Sequence, residues 1–213
     1  MTRPAVAVLD YGAGNLRSAE RALELGGADV TVTDDPAVAD GADGLVVPGV
    51  GHFGQCVAAV RARGFDALVA AWQEGGRPVL GVCVGMQILF AASEEAPGVT
   101  GLGVLPGRNV RLPDTAPVPH MGWNRVRALR ADPLLDGLDG AHMYFVHSYY
   151  AEPDDAAHVV AVADYGAEIP AVVRRGSIAA TQFHPEKSAA AGGRLLANWL
   201  ASCVVPAAYA GRP

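Results

Sequence analysis

A cysteine between two glycines stands at a predicted strand-to-helix junction. Residues 78–90 read PVLGVCVGMQILF, an apolar strand followed by Gly-x-Cys-x-Gly and then a helix. A turn of this kind is tight enough to need glycines two positions before and after the cysteine, and it holds the thiol at the carboxyl edge of a parallel sheet. The positive end of the following helix favours the thiolate, the nucleophilic form of cysteine. Cys83 is therefore predicted to be a catalytic nucleophile.

A histidine and a glutamate follow the last predicted strand. His184, Pro185 and Glu186 come directly after the alternating segment 178–183. Proline disfavours helix at the residue before it, so the imidazole and the carboxylate are expected to project to the same side. A histidine can take the proton of a thiol and return it to a leaving amine, while a carboxylate orients the ring. The sequence thus predicts a triad of Cys83, His184 and Glu186 that the fold must assemble.

A glycine-rich loop follows another apolar strand. Residues 44–54 read GLVVPGVGHFG, and this loop is expected at the same sheet edge as the cysteine. Gly49 and Gly51 permit unusual backbone dihedral angles around Val50. The N–H of Val50 and the N–H of Val84 are predicted to stabilise a developing oxyanion. A plain tight turn is the alternative explanation for these glycines.

A second glycine-rich segment precedes the first predicted helix. Residues 10–16 read DYGAGNL, which invites comparison with a dinucleotide-binding loop. Arg17 occupies the position where such a loop needs glycine or alanine, which counts against that function. A loop that contacts a partner, or the entrance to a helix capped by Asn15, is expected instead.

Composition and charge narrow the class of protein. The chain has 213 residues, of which 51% are apolar and 18% charged, with a formal net charge of -6 and a pI near 5.4. These values are typical of a globular protein and argue against binding to nucleic acid. The odd number and wide spacing of Cys56, Cys83 and Cys203 indicate neither a disulfide framework nor a metal site. No signal peptide or membrane span is indicated, so a cytoplasmic protein is expected.

The order of predicted elements specifies an α/β architecture. Strands of the first half are expected at residues 5–9, 29–32, 44–47 and 78–82, with helices at 16–25 and 55–74, the latter broken at Gly64. This alternation predicts a mostly parallel sheet flanked by helices. Strands of the second half are expected at 109–112, 142–150, 158–164, 171–174 and 177–183, before a helix at about 190–202. They should add antiparallel pairs to the parallel core. One domain over residues 1–203 and a flexible tail over 204–213 are predicted.

Together, these motifs resemble those of the class I (triad) glutamine amidotransferases. Within that class the chain most resembles the glutaminase subunits of imidazole glycerol phosphate synthase. The segments that carry the resemblance are DYGAGN (10–15), PGVGHFG (48–54), GVCVGMQ (81–87), SEE (93–95), PHMGWN (119–124), YFVHSY (144–149) and QFHPEKS (182–188). The resemblance implies a flavodoxin-like α/β fold. One departure is Val84, where related sequences often carry leucine, but only its backbone N–H is used.

The resemblance also implies an activity and a partner. Glutamine would be hydrolysed to glutamate and ammonia through a γ-glutamyl thioester on Cys83. The ammonia would pass to a (β/α)8 cyclase subunit in a heterodimer, forming imidazole glycerol phosphate and an aminoimidazole carboxamide ribonucleotide in histidine biosynthesis. Implied glutamine-pocket residues are Gly51, Gln87, Glu95, His147, Ser148 and Tyr149. Implied cyclase contacts are Asn15, Trp123, Asn124, Tyr144 and Lys187. No cofactor and no metal ion are implied.

Two alternatives remain open on the sequence alone. The chain could be the glutaminase of another pathway, such as anthranilate, guanylate or pyridoxal phosphate synthesis, although Val50 in the oxyanion loop counts against this. It could also be a catalytically silent binding subunit, because a fold does not prove an activity. The intact set of Cys83, His184 and Glu186 counts against the second alternative.

Overall fold

A computed structural model describes residues 3–204. The predicted tail, residues 204–213, lies outside the described residues except for Val204. The described strands are β1 (Ala5–Leu9), β2 (Asp29–Thr33), β3 (Gly44–Val47), β4 (Val79–Val82), β5 (Phe90–Ser93), β6 (Leu105–Arg111), β7 (His120–Arg125), β8 (Arg127–Ala128), β9 (His142–His147), β10 (Tyr149–Pro153), β11 (Val159–Asp164), β12 (Glu168–Arg175) and β13 (Ile178–Thr181). The α-helices are α1 (Leu16–Leu25), α2 (Pro36–Asp40), α3 (Phe53–Ala62), α4 (Phe65–Glu74), α5 (Val84–Ile88) and α6 (Ala189–Cys203). Short 3-10 helices occupy Pro133–Leu135, Ala156–His158 and Pro185–Lys187.

An eight-stranded sheet forms the centre of the molecule. Its strand order is β2-β1-β3-β4-β13-β12-β11-β8. The first five strands run parallel to their neighbours, and the last three continue the sheet in antiparallel pairs. Strands β3, β4 and β13 are buried along their whole length, as expected for parallel strands covered on both faces. The predicted α/β fold is confirmed, and the carboxyl ends of these three strands meet at one edge.

Two smaller sheets lie outside the central one. One has the order β10-β6-β5, and the other is the antiparallel pair of β7 and β9. The strand predicted at 142–150 is therefore two strands, which separate at Ser148 and pair with different partners. The prediction of one strand was wrong because β-type residues continue through the junction, and side-chain pattern does not reveal where a strand changes its pairing. His147 and Tyr149 flank this junction.

The helices agree with the sequence pattern except at two places. The break at Gly64 is confirmed, since this glycine has a φ of 71° and separates α3 from α4. Asn15 occupies the N-cap position of α1, as predicted, but its side chain makes no capping hydrogen bond. Helix α2 was missed, although Asp35 accepts a hydrogen bond from the N–H of Ala37 in the usual capping pattern. Within residues 3–204 no helix is long and apolar enough to cross a membrane.

Candidate active site

Strand β4 ends in a sharp turn that presents Cys83. The cysteine has φ 55° and ψ -114°, a conformation that residues with a side chain rarely adopt. A Cβ atom at Gly85 would overlap the carbonyl oxygen of Val47 on the neighbouring strand, and one at Gly81 would lie 3.0 Å from the carbonyl oxygen of Gly85. The two glycines are therefore needed because the turn packs so closely on the sheet.

His184 lies just beyond β13, with its ring between a carboxylate and the cysteine. Its Nδ1–H donates a hydrogen bond to Oε1 of Glu186 at 2.8 Å, and both side chains are buried. Nε2 is buried without a hydrogen-bond partner among the described residues. Burial acts to lower the pKa of His184, but the attraction of the nearby Cys83 sulfur and the hydrogen bond to the Glu186 carboxylate outweigh it and raise this pKa to about 9. The ring is therefore an imidazolium at neutral pH, the state that pairs with a cysteine thiolate.

A cavity of about 340 Å³ opens over the cysteine. It brings together Cys83 and His184 with every residue that the sequence predicts for the oxyanion hole and the glutamine pocket. Glu186 lies behind the His184 ring rather than on the cavity wall. The lining residues are Val50, Gly51, Cys83, Val84, Gln87, Glu95, Pro119, Val146, His147, Ser148, Tyr149, His184 and Lys187.

The predicted oxyanion loop forms one side of the cavity mouth. Gly51 has a φ of 98°, so it supplies the unusual backbone conformation that was expected. Gly49 serves a different purpose, because a Cβ there would overlap the backbone nitrogen of Gly85. Val50 between them is 41% exposed. The N–H of Val84 opens a helix and has no partner within that helix, which leaves it available to a ligand.

Comparison with known proteins decides the family. The family model described as glutamine amidotransferase class-I matches residues 7–203. The chain belongs to this family. The amidotransferase is 52% identical to "Imidazole glycerol phosphate synthase subunit HisH" of Halobacterium salinarum over 206 residues, covering 93% of both chains. It is also 52% identical to the protein of the same description from Deinococcus radiodurans over 200 residues, covering 92% of this chain and 93% of the relative. The chain is accordingly a glutamine-hydrolysing enzyme.

Solved structures share the fold of this amidotransferase. A crystal structure of a glutamine amidotransferase superimposes with a TM-score of 0.75 at 24% identity, covering 94% of this chain and 99% of that one. PurLQS from Thermotoga maritima superimposes with a TM-score of 0.73 at 22% identity, covering 95% and 98%. At these identities the similarity concerns the fold alone.

Two buried side chains behind the oxyanion loop were not predicted as part of the site. The hydroxyl of Tyr11 donates to the carbonyl oxygen of Pro48, and the thiol of Cys56 donates to the carbonyl oxygen of Val50 at 3.5 Å. Burial raises the pKa of Tyr11 and, together with nearby negative charges, raises that of Cys56 to about 11. Both groups therefore remain protonated donors at neutral pH. The only signal for Tyr11 in the sequence was its place in the DYGAGN segment.

Gln182 is a further residue of the amidotransferase site that was not predicted. Nε2 of Gln87 donates to the carbonyl oxygen of Tyr149 at 2.8 Å and to Oε1 of Gln182 at 3.1 Å. Nε2 of Gln182 in turn lies 4.0 Å from Sγ of Cys83. A signal was present in the sequence, because Gln182 precedes His184 by two residues in an extended segment and so projects to the same side.

Most residues predicted to contact a partner lie close to one another on the surface. The rings of Trp123 and Tyr144 meet edge to face with centroids 6.1 Å apart, and Nζ of Lys187 lies 6.0 Å from the centroid of Tyr144. Met121 and Trp123 are 64% and 54% exposed, and Asn15 is exposed at the start of α1. The apolar surface of β7 beside the cavity is therefore open to solvent in the isolated chain.

Asn124 differs from the other predicted contacts, because its side-chain amide forms bonds within the chain. Nδ2 donates to the carbonyl oxygen of Asp164 at 3.0 Å, and Oδ1 accepts from the N–H of Arg125 at 2.7 Å. A contact between Asn124 and a partner stays a prediction. In such a contact the bonds to Asp164 and Arg125 would have to remain.

Proposed function

We propose that this amidotransferase is the glutaminase subunit of an imidazole glycerol phosphate synthase in histidine biosynthesis, with Cys83, His184 and Glu186 as its catalytic triad. The observation that carries the proposal is that Cys83 and His184 open onto one cavity, with Glu186 bonded to the far side of the His184 ring. The HisH relatives support the pathway, since two of them share 52% identity over almost the whole chain.

The geometry supports a two-step hydrolysis. The thiolate of Cys83 attacks the carboxamide carbon of glutamine, and the resulting oxyanion accepts hydrogen bonds from the N–H groups of Val50 and Val84. His184 gives the proton on Nε2 to the leaving nitrogen, ammonia departs and a γ-glutamyl thioester remains. His184, now neutral, removes a proton from water, whose oxygen attacks the thioester. Collapse of this second tetrahedral intermediate releases glutamate and restores the thiolate and the imidazolium.

The polar groups of the cavity suit the α-ammonium group of glutamine. Both N–H bonds of the Gln87 amide are used within the protein, so its Oε1 remains to accept a hydrogen bond from the substrate. The Glu95 carboxylate lines the same cavity, where one oxygen accepts from the N–H of Phe53 at 2.7 Å. This bond holds a negative charge beside the cavity. We assign Gly51, His147, Ser148 and Tyr149 to closing the pocket around glutamine.

The exposed surface around β7 supports a partner that receives the ammonia. Trp123 and Met121 present apolar side chains close to the cavity, where an isolated protein would gain nothing from exposing them. A (β/α)8 cyclase subunit that covers this surface would meet Asn15, Trp123, Asn124, Tyr144 and Lys187. The proposal includes a heterodimer of these two subunits in the cytoplasm.

The proposal treats residues 1–203 as one domain. One cluster of buried apolar side chains supports this single domain, because it includes residues from Val6 in the first strand to Cys203 at the end of the last helix. The site residues all sit at one edge of this shared core.

Glutamate release tests the proposed function. The chain is mixed with the cyclase subunit and its nucleotide ligand, and glutamate is measured with and without that subunit. Glutaminase activity should rise strongly in the complex. High activity of the isolated chain, indifferent to the cyclase, would contradict the partnership.

Variants at two cysteines separate the nucleophile from the fold. Cys83→Ala should abolish glutamine-dependent synthesis while the complex still uses free ammonia. Cys203→Ala is the matched control, because Cys203 is buried at the end of α6 and its raised pKa of about 12, caused by burial, keeps it a thiol. This control should retain glutaminase activity. Loss of the ammonia-dependent reaction in Cys83→Ala, with the complex intact, would contradict the proposed role.

A further inference from the structure

A series of hydrogen bonds joins the β7 surface to the glutamine pocket. At the surface end, the orientation of Asn124 determines which ring nitrogen of the next residue must accept. The Asn124 amide has one orientation, because Nδ2 faces the carbonyl oxygen of Asp164 and Oδ1 faces the N–H of Arg125. The second N–H of Nδ2 points to Nε2 of His120 at 3.3 Å. That ring nitrogen must therefore accept, which places the proton of a neutral His120 on Nδ1.

At the pocket end, the hydrogen bonds of His147 require the same order of donors and acceptors. Nδ1 of His147 lies 2.9 Å from the carbonyl oxygen of Tyr149, which can only accept, so Nδ1 carries a proton. Nε2 of a neutral His147 then accepts from Nδ1–H of His120 across 3.0 Å. Two independent sets of backbone groups thus specify the same Nδ1–H tautomer for both rings.

The surroundings of the two histidines keep them neutral. His120 is stacked between the rings of Phe145 and Tyr165, with centroids 4.6 Å and 3.9 Å away. Burial lowers the pKa of His120 to about 4. For His147 burial is again the main cause; the hydrogen bond to the Tyr149 carbonyl opposes it, His120 and His184 reinforce it, and the pKa is lowered to about 3. Each ring nitrogen of the pair has a hydrogen-bond partner in the chain, so neither histidine is available as an acid or base.

The carbonyl of Tyr149 extends this series of hydrogen bonds to the nucleophile. It also accepts the hydrogen bond from Nε2 of Gln87, and this fixes the orientation of the Gln87 amide. Gln182 must then accept with Oε1, which directs its own Nε2–H towards Sγ of Cys83. The tautomers of two histidines and the orientations of two glutamines therefore form one consistent set around a single carbonyl oxygen.

We propose that His120 and His147, both as neutral Nδ1–H tautomers, are positioning residues that hold the Tyr149 carbonyl and through it orient Gln87 for glutamine binding. Their ring nitrogens form hydrogen bonds with each other, with Asn124 and with the Tyr149 carbonyl rather than with the triad. The bonds connect the pocket to Asn124 on β7, the strand that also carries exposed Trp123.

The tautomers are measurable without any activity. The full chain is labelled with ¹⁵N-histidine, and long-range ¹H–¹⁵N correlation spectra are recorded near neutral pH, with peaks assigned through His120→Phe and His147→Asn. Both rings should show a protonated Nδ1 and an unprotonated Nε2, the reverse of the tautomer that predominates for the side chain of free histidine in water. A protonated Nε2 on either ring, alone or with Nδ1, overturns the proposal.

Two substitutions at position 120 separate hydrogen bonding from packing. His120→Phe keeps the stacked ring but removes the donor to His147. His120→Asn loses the stack but places an N–H where Nδ1 stood. If this series of hydrogen bonds positions Gln87, KM for glutamine in the cyclase complex should rise about tenfold in His120→Phe. This is roughly the effect of one lost buried hydrogen bond. His120→Asn should remain within about threefold of the wild type, while kcat changes little in either variant, because Gln87 would bind ground and transition states alike.

If His120 mattered only for packing, KM for glutamine would rise more in His120→Asn than in His120→Phe, and this outcome overturns the proposal. An unchanged KM in His120→Phe overturns it as well. His142→Asn is the control, because His142 is exposed at the start of the same strand, β9, outside this series of hydrogen bonds. The kinetic comparison rests on the proposed glutaminase function, whereas the NMR measurement of the tautomers does not. If His120→Phe fails to fold, His120→Asn assigns the His120 peaks, and the wild-type spectrum still decides between the tautomers. Inactivity of the wild-type enzyme on glutamine with the expected tautomers would contradict the proposed function alone.

Discussion

Nδ1 of His184 donates a hydrogen bond to Oε1 of Glu186 over 2.8 Å, and this contact decides which ring nitrogen is left for Cys83. The bond holds the proton on Nδ1 and turns Nε2 towards the cavity. The carboxylate also stabilises the imidazolium, which must persist until the leaving nitrogen takes its proton. Glu186, separated from His184 by one proline, thus orients the ring of the proposed catalytic base and favours its positive charge.

Replacing the carboxylate by an amide should slow the chemistry without weakening substrate binding. In Glu186→Gln the negative charge is lost, so the imidazolium is less stable and kcat for glutamate release by the complex should fall about 10²-fold. KM for glutamine should stay within about twofold, since Glu186 does not line the cavity. The control Glu152→Gln changes a surface carboxylate paired with Arg108 and should leave kcat unchanged. A kcat in Glu186→Gln equal to that of the wild type would show that the carboxylate has no catalytic role.

The charge on His184 should depend on the cysteine next to it. Because attraction to the Cys83 sulfur helps raise the His184 pKa to about 9, the ring should remain protonated through neutral pH and lose its proton as the pH rises through about 9. In Cys83→Ser no thiolate forms, so the midpoint should move to lower pH. An NMR titration of the His184 ring in both proteins measures the difference. The same midpoint in the two proteins would mean that the sulfur does not stabilise the imidazolium.

The catalytic residues and the central sheet could be predicted because their signals are local. A cysteine flanked by glycines, a His-Pro-Glu turn and buried β-type strands each show in a few consecutive residues. These patterns led to the parallel core, which is confirmed, and to Cys83 and His184 as candidate catalytic residues, which line one cavity. The parallel strands then place their carboxyl ends together, which is why residues far apart in sequence line one cavity.

The remaining features depend on contacts that leave no local pattern. The division of the predicted strand 142–150 at Ser148 follows from the choice of pairing partner, which side-chain alternation does not encode. The bonds from Tyr11 and Cys56 to the oxyanion loop join segments that are distant in sequence. Cys56 is buried in α3, and nothing in its local sequence indicates that its thiol bonds to the carbonyl of Val50.

The contacts behind the oxyanion loop lead to a test of loop positioning. Tyr11→Phe removes only the hydroxyl that donates to the carbonyl of Pro48. If this bond holds the loop for catalysis, kcat for glutamine in the complex should fall by up to about tenfold with little change in KM, comparable to one neutral hydrogen bond. Cys56→Ala should act in the same direction, whereas Cys56→Ser keeps a donor to Val50 and should be milder.

Alkylation of Cys83 by iodoacetamide provides the control for these variants, because that reaction requires the thiolate but no oxyanion hole. Its rate should be unchanged in Tyr11→Phe. An unchanged kcat in both Tyr11→Phe and Cys56→Ala would contradict a positioning role, and a slower alkylation would locate the defect at the nucleophile instead.

The two neutral histidines should make the fold sensitive to acid. Their pKa values in the folded chain, about 4 for His120 and about 3 for His147, lie below the value of about 6.5 expected in the unfolded chain. Between these values the unfolded state binds more protons than the folded state. The contribution of the two histidines to the free energy of unfolding should therefore be fully present above about pH 6.5 and decrease as the pH falls towards 4. Each histidine can contribute a slope of at most about 1.4 kcal/mol per pH unit.

Urea unfolding at a series of pH values measures this slope, and the variant at position 120 isolates the contribution of one ring. His120→Phe should be less stable than the wild type at pH 7, because His147 loses its donor, but its stability should decline less steeply between pH 6.5 and 4. The control His142→Asn lacks an exposed histidine and should keep the slope of the wild type. Because the comparison concerns slopes, the carboxylates that titrate in the same range cancel between the proteins. Identical slopes in His120→Phe and the wild type would mean that His120 accepts a proton as readily in the folded chain as in the unfolded one.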